Sequence, residues 1–361
     1  YKNYKLGVNI GYQTGIITRK TSGVMFTTIG ILLQYLRVME AEDFCKKFRF
    51  VLIDEAHKRS LEFDNVVYLL RNLLIKMHDK PICPFVVFMS GTLEPVILMD
   101  YFKTKNFIDV MGQSFKVSME FSKVDITNPI FDVFSKIKKI HETQPKGENE
   151  DIIVFLNGGE QIKQIKDLCQ EYNANAKDKL AVIGIMSKQM AYASSEYQLL
   201  YSPLKDYTRR CILATNALET GITIDTLTYC IDTGMVKEKI FNPEFGIDVL
   251  IDKPTNQASV MQRRGRVGRK KEGQFYVTYT KNSFEAMEPA SYPAIITEDI
   301  SDFVLSLSVQ ETKASIEEGE DVLSWWNPIE QKHYRLKYVN NFDIRKIDLL
   351  TSPSSTSLEY S

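Results

Sequence analysis

The chain has 361 residues, enough for two or three domains. Apolar residues make up 44% and charged residues 25%, an ordinary globular balance, and no apolar run approaches membrane-spanning length. The net charge of −1 excludes a global field that would steer nucleic acid, so any such binding needs local basic clusters. Cys45, Cys83, Cys169, Cys211 and Cys230 show no paired spacing, and with four histidines they give no zinc signature. An odd, scattered set fits a reducing compartment. The chain starts at Tyr1 rather than Met, which implies a natural N-terminus upstream.

Short apolar runs alternate with amphipathic stretches, the pattern of βαβ units and parallel sheets, so the class is α/β. Val24-Met25-Phe26 predicts a strand ending at Thr27-Thr28, and Leu32 to Glu42 a helix. Val51 to Ile53 predicts a buried strand, Asp64 to Met77 a helix, and Phe85 to Met89 a second buried strand. Met99 to Val110 closes the first unit, and the irregular stretch Gly112 to Ser122 crosses to the next. There, Phe131 to Thr143 reads as a helix and Gln144 to Asp151 as a solvated turn. Ile152 to Leu156 follows as a strand, Glu160 to Tyr172 as a helix and Leu180 to Ile185 as a strand. Cys211 to Ala214 and Thr228 to Asp232 repeat the strand pattern, and Lys239 to Asp252 reads as a hairpin. Phe275 to Tyr279 is the last strand of this unit. From Phe284 the pattern turns helical and acidic, and the serine-rich end from Ser352 reads as loose.

Four segments carry chemistry. Asp54-Glu55-Ala56-His57 follows a strand, and ligand sites of open α/β sheets lie at that end. Asp54 suits a Mg²⁺ ion held partly through water, and Glu55, beside the same ion, suits activation of the water that attacks a γ-phosphate. His57 is placed to report nucleotide state. Ser90-Gly91-Thr92 ends the next strand, with Ser90 and Thr92 as coupling hydroxyls. The run Ala214 to Asp225 is small and hydroxylated, so its amides can approach phosphates, and Asp225 suits a ribose hydroxyl or a water. In Gln262 to Arg269, Arg266 and Arg269 stand three apart, as one helix face would present them. Their guanidinium forks suit a γ-phosphate, with Gln262 on the attacking water. Lys270-Lys271 read as a solvated face, and Trp325-Trp326 as core or interface. His78, His141 and His333 receive no function.

These residues, in this order, resemble the DEAH-box group of superfamily 2 helicases, NTP-driven RNA translocases. The likeness runs from about Gly7 to Leu307. Asp54 to His57 is similar to motif II, and Ser90 to Thr92 to motif III with Gly for the usual Ala. Thr28-Ile29-Gly30 is similar to motif Ib, Ile153 to Gly158 to motif IV, Thr215 to Asp225 to motif V and Gln262 to Arg269 to motif VI. The resemblance implies nucleic-acid contacts at Thr28, Arg59, Asn157, Ser187 and Thr215. It implies nucleotide contacts at Tyr201, Gly221, Thr223 and Asp225, Tyr201 stacking on the base. Phe241 to Lys253 aligns with a strand-parting hairpin, and Ser301 to Gln310 with the opening of a winged helix. The spelling of motif VI is also similar to helicases of large DNA viruses.

The implied architecture is two RecA-like parallel-sheet domains, 1–112 (truncated) and 113–282, then the start of a winged-helix or helical region, 283–361. ATP or another NTP with Mg²⁺ would bind between the two domains. The partners implied are single-stranded or structured RNA, with DNA open, and an activating protein, but no membrane. The place of work implied is intracellular, cytoplasmic or nuclear, or a virion or viral factory for a viral protein. One departure matters: no Gly-Lys dipeptide occurs, so the phosphate-binding loop is absent from these residues. Two explanations stand: a fragment of a complete helicase, which would leave this chain alone inactive, or a degenerate member. The alternative functions are a non-hydrolysing scaffold of the same fold and a DNA-directed helicase.

Overall fold

The protein is described from a computed structural model. It covers residues 4–19, 21–91, 95–110, 112, 115–147, 149–186, 195–219, 223–242, 245, 247–314, 322–327, 332–337 and 344–354. The chain divides into two compact units. One comprises 1–108, 241–247 and 292–361, and the other 109–240 and 248–291.

The first unit opens with β1 (Ile10–Gln13), β2 (Thr18–Arg19) and β3 (Val24–Thr27), a three-stranded sheet in which β1 pairs antiparallel with β2 and parallel with β3. Two helices follow, α1 (Ile29–Val38) and α2 (Ala41–Lys47), where the sequence predicts one. Met39 and Glu40 are both extended and break the run, and neither Gly nor Pro marks the place. Next come β4 (Phe50–Ile53), α3 (Leu61–Met77), β5 (Phe85–Phe88) and α4 (Pro95–Tyr101). α3 starts one turn earlier than its periodicity predicts, because the Ser60 side chain accepts from Phe63 N–H as an N-cap. β4 and β5 are parallel partners.

The expectation of fully buried strands fails here. Val51 and Ile53 enter a core with Leu33, Phe44, Val66, Leu70 and Leu98, while Phe50, Leu52, Phe85 and Val87 are exposed. Helices cover one face of this pair, so burial alternates with the two-residue period of a strand.

The second unit is built on a six-stranded sheet. In chain order its elements are β6 (Val117–Glu120), α5 (Ile130–Thr143), β7 (Asp151–Phe155), α6 (Gly159–Asn175), β8 (Leu180–Ile185) and α7 (Ser195–Leu199). There follow β9 (Arg209–Ala214), β10 (Leu227–Asp232), β11 (Met235–Asn242) and β12 (Ile247–Pro254), whose facing ends at 241–247 count with the first unit, then α8 (Gln257–Arg264), β13 (Gly273–Val277) and α9 (Lys281–Glu285). The sheet order is β6-β13-β10-β7-β9-β8 and every pairing is parallel, the arrangement of a RecA-like domain.

Its strands β7, β9 and β10 are buried on both faces. Ile153 and Phe155 pack with Val260 and Val267 on one side. Ile152 and Val154 pack on the other with Val133, Ile137 and Ile140 of α5 and with Ile162 and Ile165 of α6. The 4- and 3-residue steps of the α5 positions make one apolar stripe, and each such side chain, fully buried, contributes about 1.5–3 kcal/mol. Two expectations need correction. The crossing stretch contains edge strand β6, and the polar turn before β7 ends in buried acids. Asp151 accepts from Arg210 N at 2.9 Å and Nη1 at 3.1 Å, and Glu150 meets Lys271, which therefore is not merely solvated.

The segment after residue 291 returns to the first unit with α10 (Ala294–Thr297) and α11 (Ser301–Ala314). Ile295, Ile300, Phe303, Leu307, Ile344 and Leu349 pack with Tyr68 of α3. The helical expectation fails further on, where β14 (Val322–Asn327) and β15 (Lys332–Lys337) form an antiparallel pair. Trp325 and Trp326 lie in β14, opposite Tyr334 and His333.

Candidate nucleotide and nucleic-acid sites

In the first unit, β4 delivers Asp54 to His57 to its carboxyl end. Met89 N donates to Ile53 O at 2.8 Å and Ala56 N to Met89 O at 3.0 Å, so the parallel pairing runs on into the turn. Asp54 is exposed, and one of its carboxylate oxygens accepts from Glu55 N at 2.8 Å. Glu55 has φ +57°, a left-handed value that is costly for a residue with a Cβ. His57 Nδ1 lies 3.0 Å from Ser90 Oγ and 3.5 Å from Glu55 Oε2. Burial lowers the His57 pKa, opposed by Glu55. The Asp54 to His57 turn and the hydroxyl end of β5 are thus in contact, while Thr92 lies outside the described residues.

Thr28 is the exposed residue before α1, and its side chain caps nothing. Arg59 is differently placed. Its Nε donates to Asp64 Oδ1 at 2.7 Å, and its Nη2 to Asp64 Oδ2 at 3.0 Å and Thr351 Oγ1 at 2.9 Å. Asp64 is fully buried. Burial pushes its carboxyl up, and Arg59 pulls it back. The strand-gripping expectation for Arg59 therefore meets a guanidinium already engaged inside its own unit.

In the second unit, the carboxyl edge of the sheet collects the other candidates. Phe155 of β7 is in register with Ala214 of β9, which sets Asn157 and Thr215 at neighbouring strand ends. Asn157 N donates to Gln161 Oε1 at 3.0 Å, and its own side-chain oxygen is buried with no hydrogen-bond partner among the described residues. Thr215 Oγ1 donates to Met186 O at 2.8 Å, tying it to the end of β8. Ser187 and Gly221 lie outside the described residues. Tyr201 is exposed, its hydroxyl 3.5 Å from Thr223 O and its ring edge-on to Tyr197 at 5.6 Å. Asp225 and Lys270 form an ion pair at 3.7 Å.

The basic run departs from the expected helix face. α8 includes Gln262, Arg263 and Arg264 and stops there, so Arg266 and Arg269 sit on the loop beyond it. Gly265 caps the helix, and Gly268 takes φ +77°. A Cβ at 268 would collide with Val117 and come within 3.0 Å of Phe115 O. Phe115 N donates to Gly268 O at 2.8 Å, and Arg264 Nη2 to Val117 O at 3.0 Å. Arg266 donates to Glu219 O, and Arg269 Nε lies 3.4 Å from Gly265 O.

A buried charge network joins this run to the Thr215 to Asp225 segment. Arg263, 1% exposed, donates from Nε to Glu219 Oε1 at 2.8 Å and from Nη1 to Asp232 Oδ1 at 2.7 Å. The Tyr279 hydroxyl donates to Asp232 Oδ2 at 2.9 Å. Burial works against the charge of Arg263, and Asp232 and Glu219 outweigh it, so its pKa stands above the ordinary value. Nothing in the residue pattern alone marks Arg263, Glu219 or Tyr279 as partners of one another. The one signal was an acid closing an apolar strand at Asp232, the same pattern as Asp54.

Residues 133–271 match the helicase conserved C-terminal domain family. An African swine fever virus protein from a Kenyan pig isolate, B962L, named as an RNA helicase, is 31% identical over 345 residues, 88% of this chain and 36% of the viral one. The mouse ATP-dependent RNA helicase DHX33 is 26% identical over 309 residues, 85% of this chain and 44% of the mouse one. The chain thus spans between a third and a half of the length of these relatives.

Proposed function

The chain belongs to the superfamily 2 helicases, and on that premise we propose that it is the body of an ATP-dependent RNA helicase of the DEAH-box type, coupling hydrolysis to movement along RNA and its unwinding. The observation that carries this reading is the joining of the arginine run to the carboxyl edge of the sheet: Arg266 bonds the backbone of Glu219, in the same segment as Thr215 and Asp225. A shift of the arginines toward phosphate would be felt where the strand is gripped. The name of the viral relative supports RNA as the substrate, and its source supports a large-DNA-virus origin and work in an intracellular viral factory.

The acid pair fits Mg²⁺, which is bound by one or two carboxylates and keeps much of its water; among the described residues no cluster of three His, Cys, Asp or Glu offers a fuller cage. Asp54 and Glu55 would hold the ion with ATP, and the ion when bound neutralises phosphate charge. Glu55 takes the proton of the attacking water, and Gln262 orients that water. Arg266 and Arg269 present guanidinium forks to the phosphoryl group. Tyr201 stacks on the base, and Gly221, Thr223 and Asp225 line the nucleotide site. Thr28, Asn157, Ser187 and Thr215 hold the strand through its backbone, without sequence preference. His57, Ser90 and Thr92 pass nucleotide state onward.

Residues 1–361 alone would not turn over nucleotide, because they contain no Gly-Lys phosphate-binding loop. A second reading is a non-hydrolysing nucleic-acid-binding scaffold of the same fold. The test is Glu55→Gln in the natural protein. RNA-stimulated hydrolysis should fall by at least about 10²-fold with nucleotide binding spared. Retained turnover removes Glu55 from the base role, and a natural protein without any NTP hydrolysis leaves the scaffold.

A further inference from the structure

We propose that Arg59 is a positioning residue, which anchors the Asp54 to His57 turn to the segment 292–354 and so holds Glu55 in its left-handed backbone conformation. The inference rests on the reading of Glu55 as general base. A left-handed residue with a Cβ persists only where its surroundings over-determine it. The turn is fixed upstream by β5, through Met89 N to Ile53 O and Ala56 N to Met89 O. Lys58 N closes it on Glu55 O at 3.0 Å. Downstream, Arg59 grips several elements. Its carbonyl accepts from Ala294 N at 2.8 Å. Its guanidinium forks onto buried Asp64 in the first turn of α3 and reaches Thr351 as well. A planar fork in a water-poor setting fixes orientation as well as position, which a lysine could not do.

All of these groups lie in one compact unit. Ala294 and Thr351 flank the segment that packs on Tyr68, so a displacement of that segment pulls on Arg59 and, four residues away, on Glu55. The segment after residue 291 thereby sets the rate of the chemical step without touching nucleotide.

Arg59 alone is a poor target, because its removal leaves Asp64 buried and unpaired. The paired change Arg59→Met with Asp64→Leu removes both charges, and Thr351→Val removes one bond only. In the natural protein we expect kcat for NTP hydrolysis to fall by about tenfold in the pair and about twofold in Thr351→Val, with the KM for nucleotide unchanged. Amide hydrogen exchange should quicken across residues 54–60 in both, without change in the second unit. Unchanged exchange at 54–60 in Thr351→Val overturns the inference, as does an unchanged kcat in the pair. If the pair does not fold, Thr351→Val decides alone. Weakened RNA affinity with basal hydrolysis intact would make Arg59 a strand contact instead. The exchange measurement needs no turnover, so it separates failure of the clamp from failure of the hydrolase reading.

Discussion

Strands β4 and β5 of the first unit and strands β7, β9 and β10 of the second all end in polar loops, yet they are enclosed differently. Every residue of β7, β9 and β10 is buried, with apolar side chains entering two cores in alternation. β4 buries only alternate residues and β5 half-buries only Val86 and Phe88, while Phe50 and Phe85 stack on each other at 5.4 Å on the open face. The functional turns are therefore held by different means. In the second unit a doubly covered sheet fixes the strand ends. In the first, the Asp54 to His57 turn depends on individual hydrogen bonds, with Ser90 on one side and Arg59 on the other.

Three experiments would break or sharpen this contrast. The largest effect is expected for Arg263→Met, which strands Asp232 and Glu219 in the interior of the second unit. A loss of about 3–5 kcal/mol should appear in denaturant titration. Neutralising both acids in the same chain should recover much of it, and a mild loss in the single variant would mean that the network is not closed to water. Core truncation comes next. Phe155→Ala should cost about 3–5 kcal/mol, whereas Leu52→Thr on the open face of β4 should stay within about 0.5 kcal/mol. Equal costs would show that the open face of β4 is covered in solution.

The smallest effect concerns acid. His141 is fully buried; burial lowers its pKa, opposed by its bond to Asp178 O at 3.0 Å. Its folded value lies below the unfolded one of about 6.5, so its contribution is complete above that pH and is lost as pH falls through the folded value. The slope in that window is bounded by roughly 1.4 kcal/mol per pH unit. His141→Phe should flatten the melting profile there, and an unchanged slope would place the acid sensitivity elsewhere.

How much the chain disclosed beforehand follows the same contrast. Leu180–Ile185 was legible to the residue, because burial on both faces writes a continuous apolar run. Edge strand β6 was not, since Val117-Ser118-Met119-Glu120 is short and alternates. The break at Met39-Glu40 has no glycine or proline to announce it. At the sites, the polar strand ends could be read because their residue types are unusual there. The Arg263 network could not, because its partners are 31 and 44 residues away in sequence.

The close packing at Gly268 has one more consequence. The arginine-bearing loop lies tight against the approach to the first strand of the six-stranded sheet, where Phe115 and Val117 leave no volume for a methyl group. The two pieces must therefore be inherited as a matched set: a descendant that enlarged residue 268 would have to reshape positions 115 and 117 at the same time.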